Sequence, residues 1–67
     1  MSTAKIIELV GSSSEGWQQA VESAVAQASQ TLDGISGVEV TNMTASVENG
    51  QITLYKATVK VAFRIHS

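Results

Sequence analysis

The strongest constraint in these 67 residues is the stretch Gln51 to Ile65, QITLYKATVKVAFRI, a strand-type pattern too long for a chain of this size. Thr53, Tyr55, Ala57, Val59, Val61, Phe63 and Ile65 fall on one face at period two, with Lys56, Thr58, Lys60 and Arg64 on the other, so the stretch reads as a half-buried antiparallel strand. Drawn straight it spans roughly 50 Å, whereas the only helical pattern in the chain spans roughly 30 Å. Part of the strand overhangs its own core. The economical cover for that overhang is another copy of the same chain.

Size leads to the same conclusion. Residues 1–67 read as one domain, near the length at which a single core is only marginally stable and small proteins add disulfides, a metal or further copies. Cysteine is absent and His66 is the lone histidine, which excludes disulfides, thiolate sites and multi-histidine sites within one chain. Oligomerisation remains. Four basic against six acidic residues give a net charge of −2 and no electrostatic footprint for nucleic acid or an anionic membrane. The opening MSTAKIIELV lacks the apolar segment of a signal peptide, and no apolar run is long enough to cross a bilayer. A soluble, cytoplasmic protein is expected.

In chain order, Ala4 to Val10 reads as a first strand with apolar groups on both faces, Ile7 and Leu9 opposite Ile6 and Val10, a pattern typical of a central strand. Gly11 permits a turn. Ser12-x-x-Glu15 matches a capping box, with Ser13 an equally good N-cap, so a helix starts here. Its apolar stripe is Trp17, Ala20, Val21, Ala24, Val25, Ala28 and Leu32. The alanines allow close approach to a sheet, and Gly34 supplies a left-handed stop after a helix ending near Leu32. Val38 to Val47 is a second strand whose apolar phase changes between Val40 and Met43, which predicts a bulge or sharp twist near Thr41 or Asn42. Glu48-Asn49-Gly50 then predicts a tight type I′ hairpin into the long strand. The expected fold is α+β in the order β-α-β-β, a three-stranded antiparallel sheet wrapped around one helix.

No catalytic constellation is present, and an enzyme is not expected. The six acidic residues stand singly on different elements, without the loop spacing of a calcium site or the paired geometry of a glycosidase. No GxSxG context occurs, and Gly11-Ser-Ser-Ser-Glu-Gly16 lacks the Gly-Lys-Ser/Thr ending of a phosphate loop, so turn plus cap explains it better. Trp17 has the ring to stack an aromatic ligand, but its place on the helix stripe makes it a core or subunit contact. Lys56, Thr58, Lys60 and Arg64 form a cationic stripe that is either a solvated surface or, repeated by symmetry, a lining for anionic ligands.

Lys5 to Val10 followed by Gly11-Ser12-Ser13, the alanine-rich helix, Val38-Glu39-Val40 and Tyr55 to Phe63 (YKATVKVAF) together resemble the dodecins, in order and over nearly the whole chain. The resemblance implies a hollow homo-dodecamer of cubic, tetrahedral symmetry built from trimers. It also implies flavins, riboflavin or FMN, stacked in pairs between tryptophans at two-fold axes and stored rather than transformed. Three positions depart from that pattern. The stacking tryptophan precedes the residue matched by Val38, and this chain has Gly37. The glutamine that hydrogen-bonds the isoalloxazine edge is replaced by Lys56, and an arginine that some members set against the flavin phosphate is replaced by Thr44. A second basic position is kept as Arg64.

The pocket positions implied by the resemblance are therefore Gly37, Val38, Thr44, Lys56 and Arg64. Losing a stacked ring removes on the order of 1 to 3 kcal/mol per platform, and a lysine cannot accept a hydrogen bond from the flavin N3–H. Classical flavin binding is therefore not expected, which leaves storage of another small ligand or ion, a flavin pocket rebuilt on other groups, or a scaffold without a specific ligand. A subset of similar proteins that also lacks the tryptophan is associated with calcium, and it shares a helix-start Trp at Trp17 and a basic residue at Lys56. Metal candidates under that likeness are Glu8, Glu39 and Glu48, gathered from several copies across symmetry axes.

Overall fold

The computed structural model describes residues 3–65, arranged as β1 (Thr3–Ser13), α1 (Trp17–Ser29), β2 (Ile35–Glu48) and β3 (Gln51–Ile65). The expected β-α-β-β order holds, and His66 lies outside the described residues. All strands join one antiparallel sheet of order β1-β3-β2, so β3 is central. This corrects the placement of β1 at the centre. As the longest strand, β3 pairs along both its edges, and the second apolar face of β1 is left open instead, with Ile6 and Val10 exposed.

The core is small and lies on one side. Ala57, Val59 and Val61 of β3 are fully buried beneath Ala20, Ala24 and Ala28 of α1, with Ile7, Leu9, Val21, Leu32 and Ile35 packed around them. The alanine stripe thus acts as expected, because methyl groups in place of larger side chains let the helix axis come down onto the sheet. Gly11 completes that approach. It is a buried residue within β1 rather than a turn, and a Cβ there would lie 2.0 Å from the carbonyl oxygen of Ala20.

Both ends of α1 differ from the sequence expectation. Ser12 and Ser13 remain in β1, opposite Lys56 and Tyr55, so the capping box does not form. The extended Gly16 precedes the helix without a side-chain cap, and the Ser13 hydroxyl accepts instead from the Glu15 N–H at 3.0 Å, closing the turn. At the other end, Gln30 and Thr31 donate to the carbonyls three residues back, at 3.2 Å each, a tightening that ends the regular helix at Ser29. Gly34 has the expected left-handed backbone, φ 74°, at the entry to β2.

Thirteen helical residues span about 20 Å, against a molecule 52 Å long. The overhang is thus larger than expected. It consists of the β2–β3 hairpin, whose turn carries Asn49 at φ 53° and Gly50 at φ 76°, the pair of positive angles a type I′ turn requires. The β2 register shifts between Val40 and Asn42, where the change of apolar phase placed a bulge, and again near Gly37 and Val47. The bulge restores phase: Val38, Val40, Met43 and Ala45 all pair with residues on the helix side of β3.

Candidate functional site

The helix lies mainly over β1 and β3, so β2 is poorly covered even on the helix side. Val38, Val40 and Met43 are exposed there, while Val47 and Ile52 are exposed on the hairpin. Trp17 bridges the gap. Its indole Nε1–H donates to the Thr44 carbonyl at 3.0 Å and its ring meets Tyr55 edge-on, centroids 4.8 Å apart. It is half-buried and joins the start of α1 to both strands of the hairpin, a contact within the protomer where the sequence leaves core or subunit contact open.

On the opposite, outer face, direct cross-strand partners share a side of the sheet, so the register assembles rows of side chains across all three strands. One row is Ser12, Lys56, Thr44; four residues along β3 comes Glu8, Lys60, Glu39; beyond it Ile6, Ala62, Gly37. Arg64 is opposite Ala4, and its backbone N–H donates to the Gly34 carbonyl at 3.1 Å.

The structure therefore brings together only some of the positions named from the sequence. Thr44 and Lys56 are direct partners. Gly37 is six residues of β3 away from them, roughly 20 Å along the strand, and Val38 turns to the other face. Glu8 and Glu39 share a row with Lys60 between them, while Glu48 is at the hairpin opposite Gln51. Within one protomer, no three carboxylate or imidazole groups converge among the described residues.

Gly37 is exposed, and a Cβ built there would meet nothing within 4 Å. Among the described residues the protomer forms no pocket, so a ligand held by one copy would rest on an open face. Ser12 is the residue that sequence reasoning assigned elsewhere. Its parity with Val10 would have placed it on the outer face had the strand been carried through Gly11, and the register then sets it opposite Lys56.

Comparison with known proteins returns one family. A family model described as Dodecin matches residues 3–66. A dodecin from Thermus thermophilus is 33% identical over 61 residues, covering 91% of this chain and 88% of its own length. The solved structure of a dodecin from Streptomyces coelicolor superposes with a TM-score of 0.93 at 38% identity, over 98% of this chain and 94% of that one. The calcium dodecin of Mycobacterium tuberculosis, described as a calcium-chelating antigen with a novel calcium-binding site, superposes with a TM-score of 0.83 at 30% identity, over 97% and 93% of the two chains. None of the described helices is long and apolar enough to cross a membrane.

Proposed function

The chain belongs to the dodecin family, and we propose that it is a non-enzymatic binding or storage module: a hollow homo-dodecamer that holds a small ligand or ion and does not stack flavin tightly. The observation that carries this reading is the surface the protomer leaves open. The chain exposes 4835 Å², whereas a compact monomer of 7.0 kDa exposes about 4,000 Å². The excess of about 800 Å² is what one partner contributes to a standard interface. Large apolar side chains are exposed on both faces of the sheet, among them Ile6, Val10 and Met43.

The ligand part of the reading rests on Gly37, Val38, Thr44, Lys56 and Arg64. Open space at Gly37 leaves no aromatic platform where the family likeness puts one. Lys56 supplies a donor where a flavin imide needs an acceptor. Titration of riboflavin and FMN, followed by flavin fluorescence with light scattering on the same samples, tests both parts. A twelve-chain particle without quenching is expected. Quenching at one flavin per protomer would instead mean a rebuilt flavin pocket, and a monomer at micromolar concentration would overturn the assembly.

A second reading, calcium binding, is favoured by the likeness to the calcium dodecin and by the alignment of Glu8 and Glu39 in one row. Lys60 between them opposes a cation at that row within one copy, so a calcium site would need carboxylates from several copies. Calorimetric titration with calcium and the Glu8→Gln and Glu39→Gln variants tests it. Heat that survives both substitutions would place the ion elsewhere.

A further inference from the structure

The tip of the β2–β3 hairpin combines two features that the binding reading leaves unused: an Asn-Gly pair and a length of strand that the helix does not cover. Asn49 is the only non-glycine residue with a positive φ among the described residues, and both turn residues are exposed. A Cβ built at Gly50 would meet nothing within 4 Å, so its backbone nitrogen stands in open space. Among the described residues the Gly50 N–H donates no hydrogen bond and the Asn49 side-chain amide has no partner. The adjacent Glu48 carboxylate accepts instead from the Thr53 hydroxyl, at 3.5 Å.

We propose that Asn49 is a modification site, where the folded protein deamidates itself through a cyclic imide and converts its hairpin turn to isoaspartate. The Gly50 backbone nitrogen attacks Asn49 Cγ, the Cγ–Nδ2 bond breaks, and ammonia leaves with the proton that the Gly50 nitrogen gives up. Water then opens the five-membered imide. Hydrolysis at Cγ gives aspartate, and hydrolysis at the Asn49 main-chain carbonyl gives isoaspartate, with the chain rerouted through Cβ and Cγ. Water is the only co-reactant, and neither ligand nor assembly enters the step. Glycine suits the attack because no Cβ shields its nitrogen. The closed turn fixes its own angles, so reaction waits on local opening. The helix spans about 20 Å of a molecule 52 Å long, and Val47 and Ile52 are exposed beside the turn. The tip therefore lacks a core beneath it and belongs to the least stable part of the fold. Isoaspartate adds a methylene to the main chain between Glu48 and Gln51, where a type I′ turn has room for two ordinary residues. It also sets a second carboxylate beside Glu48. Modification thus marks the age of the chain and loosens the hairpin.

Intact protein is incubated at neutral pH and physiological temperature, sampled over weeks and digested, and electron-transfer fragmentation of the peptides separates Asn, Asp and isoaspartate at each position. Asn42, the other asparagine of the chain, is the internal control, since it is paired with Thr58 within the sheet and followed by Met43. Asn49 should convert faster than Asn42 by about ten-fold or more. Its rate should stay level in urea below the unfolding transition, the mark of local rather than global opening. Gly50→Ala should slow the conversion although it loosens the turn, because its Cβ shields the attacking nitrogen. The purified isoaspartate fraction should unfold at lower urea than Asn49→Asp, which carries the same charge without the added methylene. Equal rates at the two asparagines would overturn the proposal, as would an unmodified Asn49 while a peptide of residues 46–54 converts fully. A rate that climbs steeply with urea would assign the chemistry to the unfolded chain, and faster conversion in Gly50→Ala would remove the attacking nitrogen from the mechanism; either outcome refutes it. An isoaspartate fraction as stable as Asn49→Asp would refute the loosening of the hairpin.

Discussion

Gly11→Ala should unseat the helix. The added Cβ would stand 2.0 Å from the Ala20 carbonyl oxygen and 3.0 Å from the Ala24 Cβ. The first of these is main chain and has no rotamer to escape into. Restoring ordinary contact requires α1 to lift by about 1.4 Å, and a gap of 0.5–1 Å already forfeits roughly a quarter to a half of each dispersion contact. The loss falls on the face where Ala20, Ala24 and Ala28 meet Ala57, Val59 and Val61, which are the buried residues of the core. Overpacking of this kind costs about 1–3 kcal/mol, and the upper end applies because the clash is with backbone. The smaller conformational freedom of alanine in the unfolded chain returns about 0.5 kcal/mol.

A net destabilisation of roughly 2–3 kcal/mol is therefore expected, a fall in Tm of about 10–20 °C for a chain of this length. Urea titration at matched protomer concentration, read by circular dichroism and Trp17 emission, measures it, because any assembly makes the midpoint depend on concentration. Gly37→Ala is the paired control, since its new methyl group meets nothing within 4 Å and should shift stability by no more than about 0.5 kcal/mol. Equal stability of the two variants would refute the close approach of α1 to β1.

Three further outcomes follow from single contacts. Trp17→Phe keeps an aromatic edge against Tyr55 but removes the donor to the Thr44 carbonyl; a loss of about 0.5–1.5 kcal/mol is expected in urea unfolding followed by circular dichroism. Gly50→Ala forces a side chain onto φ 76° in the hairpin turn and should cost about 1 kcal/mol, an effect that Gly50→Asn should largely spare because asparagine tolerates that region. Gly37→Trp enters open space and should leave stability unchanged while raising flavin affinity by about ten-fold or more, the worth of one stacked ring; fluorescence quenching checks it, and unchanged affinity would mean that Lys56 rather than the missing ring excludes flavin.

What the sequence made legible was whatever has a local cause. Asn49-Gly50 specifies its own turn through two positive φ angles, and the bulge beside Thr41 was visible because a strand that buries one face cannot change apolar phase without an extra residue. The features that were misread depend on a partner distant in the chain. Gly11 looks like a turn residue until Ala20 is placed above it, and Ser12-x-x-Glu15 looks like a capping box until Lys56 and Tyr55 hold the two serines in β1. The apolar groups on both faces of β1 suggest a central strand, but β1 is an edge strand and only its helix side is covered, leaving Ile6 and Val10 exposed. At the candidate site, the residue types were legible one by one, while the pairing of Thr44 with Lys56 and the position of Lys60 between Glu8 and Glu39 required the register.

The pleat of the sheet separates the residues that build the protomer from most of those that would choose its ligand. Gly11, Ala57, Val59 and Val61 face α1, where a change of one methyl group is felt by packed neighbours. Gly37, Thr44, Lys56 and Arg64 occupy outer-face positions in register, all exposed, so exchanges there create no cavity and leave no buried partner unsatisfied. The core can accordingly keep its shape, to a TM-score of 0.93 against a relative only 38% identical, while exposed outer-face positions are free to change. For the same reason, likeness of fold does not by itself identify a ligand. The outer face is not wholly free, however. Ile6 and Val10 are interleaved there with Glu8, Lys60 and Lys56, so a surface that copies would cover for its apolar groups also carries charged side chains. If copies do cover these apolar groups, their packing also decides which of the outer-face polar residues stay accessible, whereas the core beneath α1 does not.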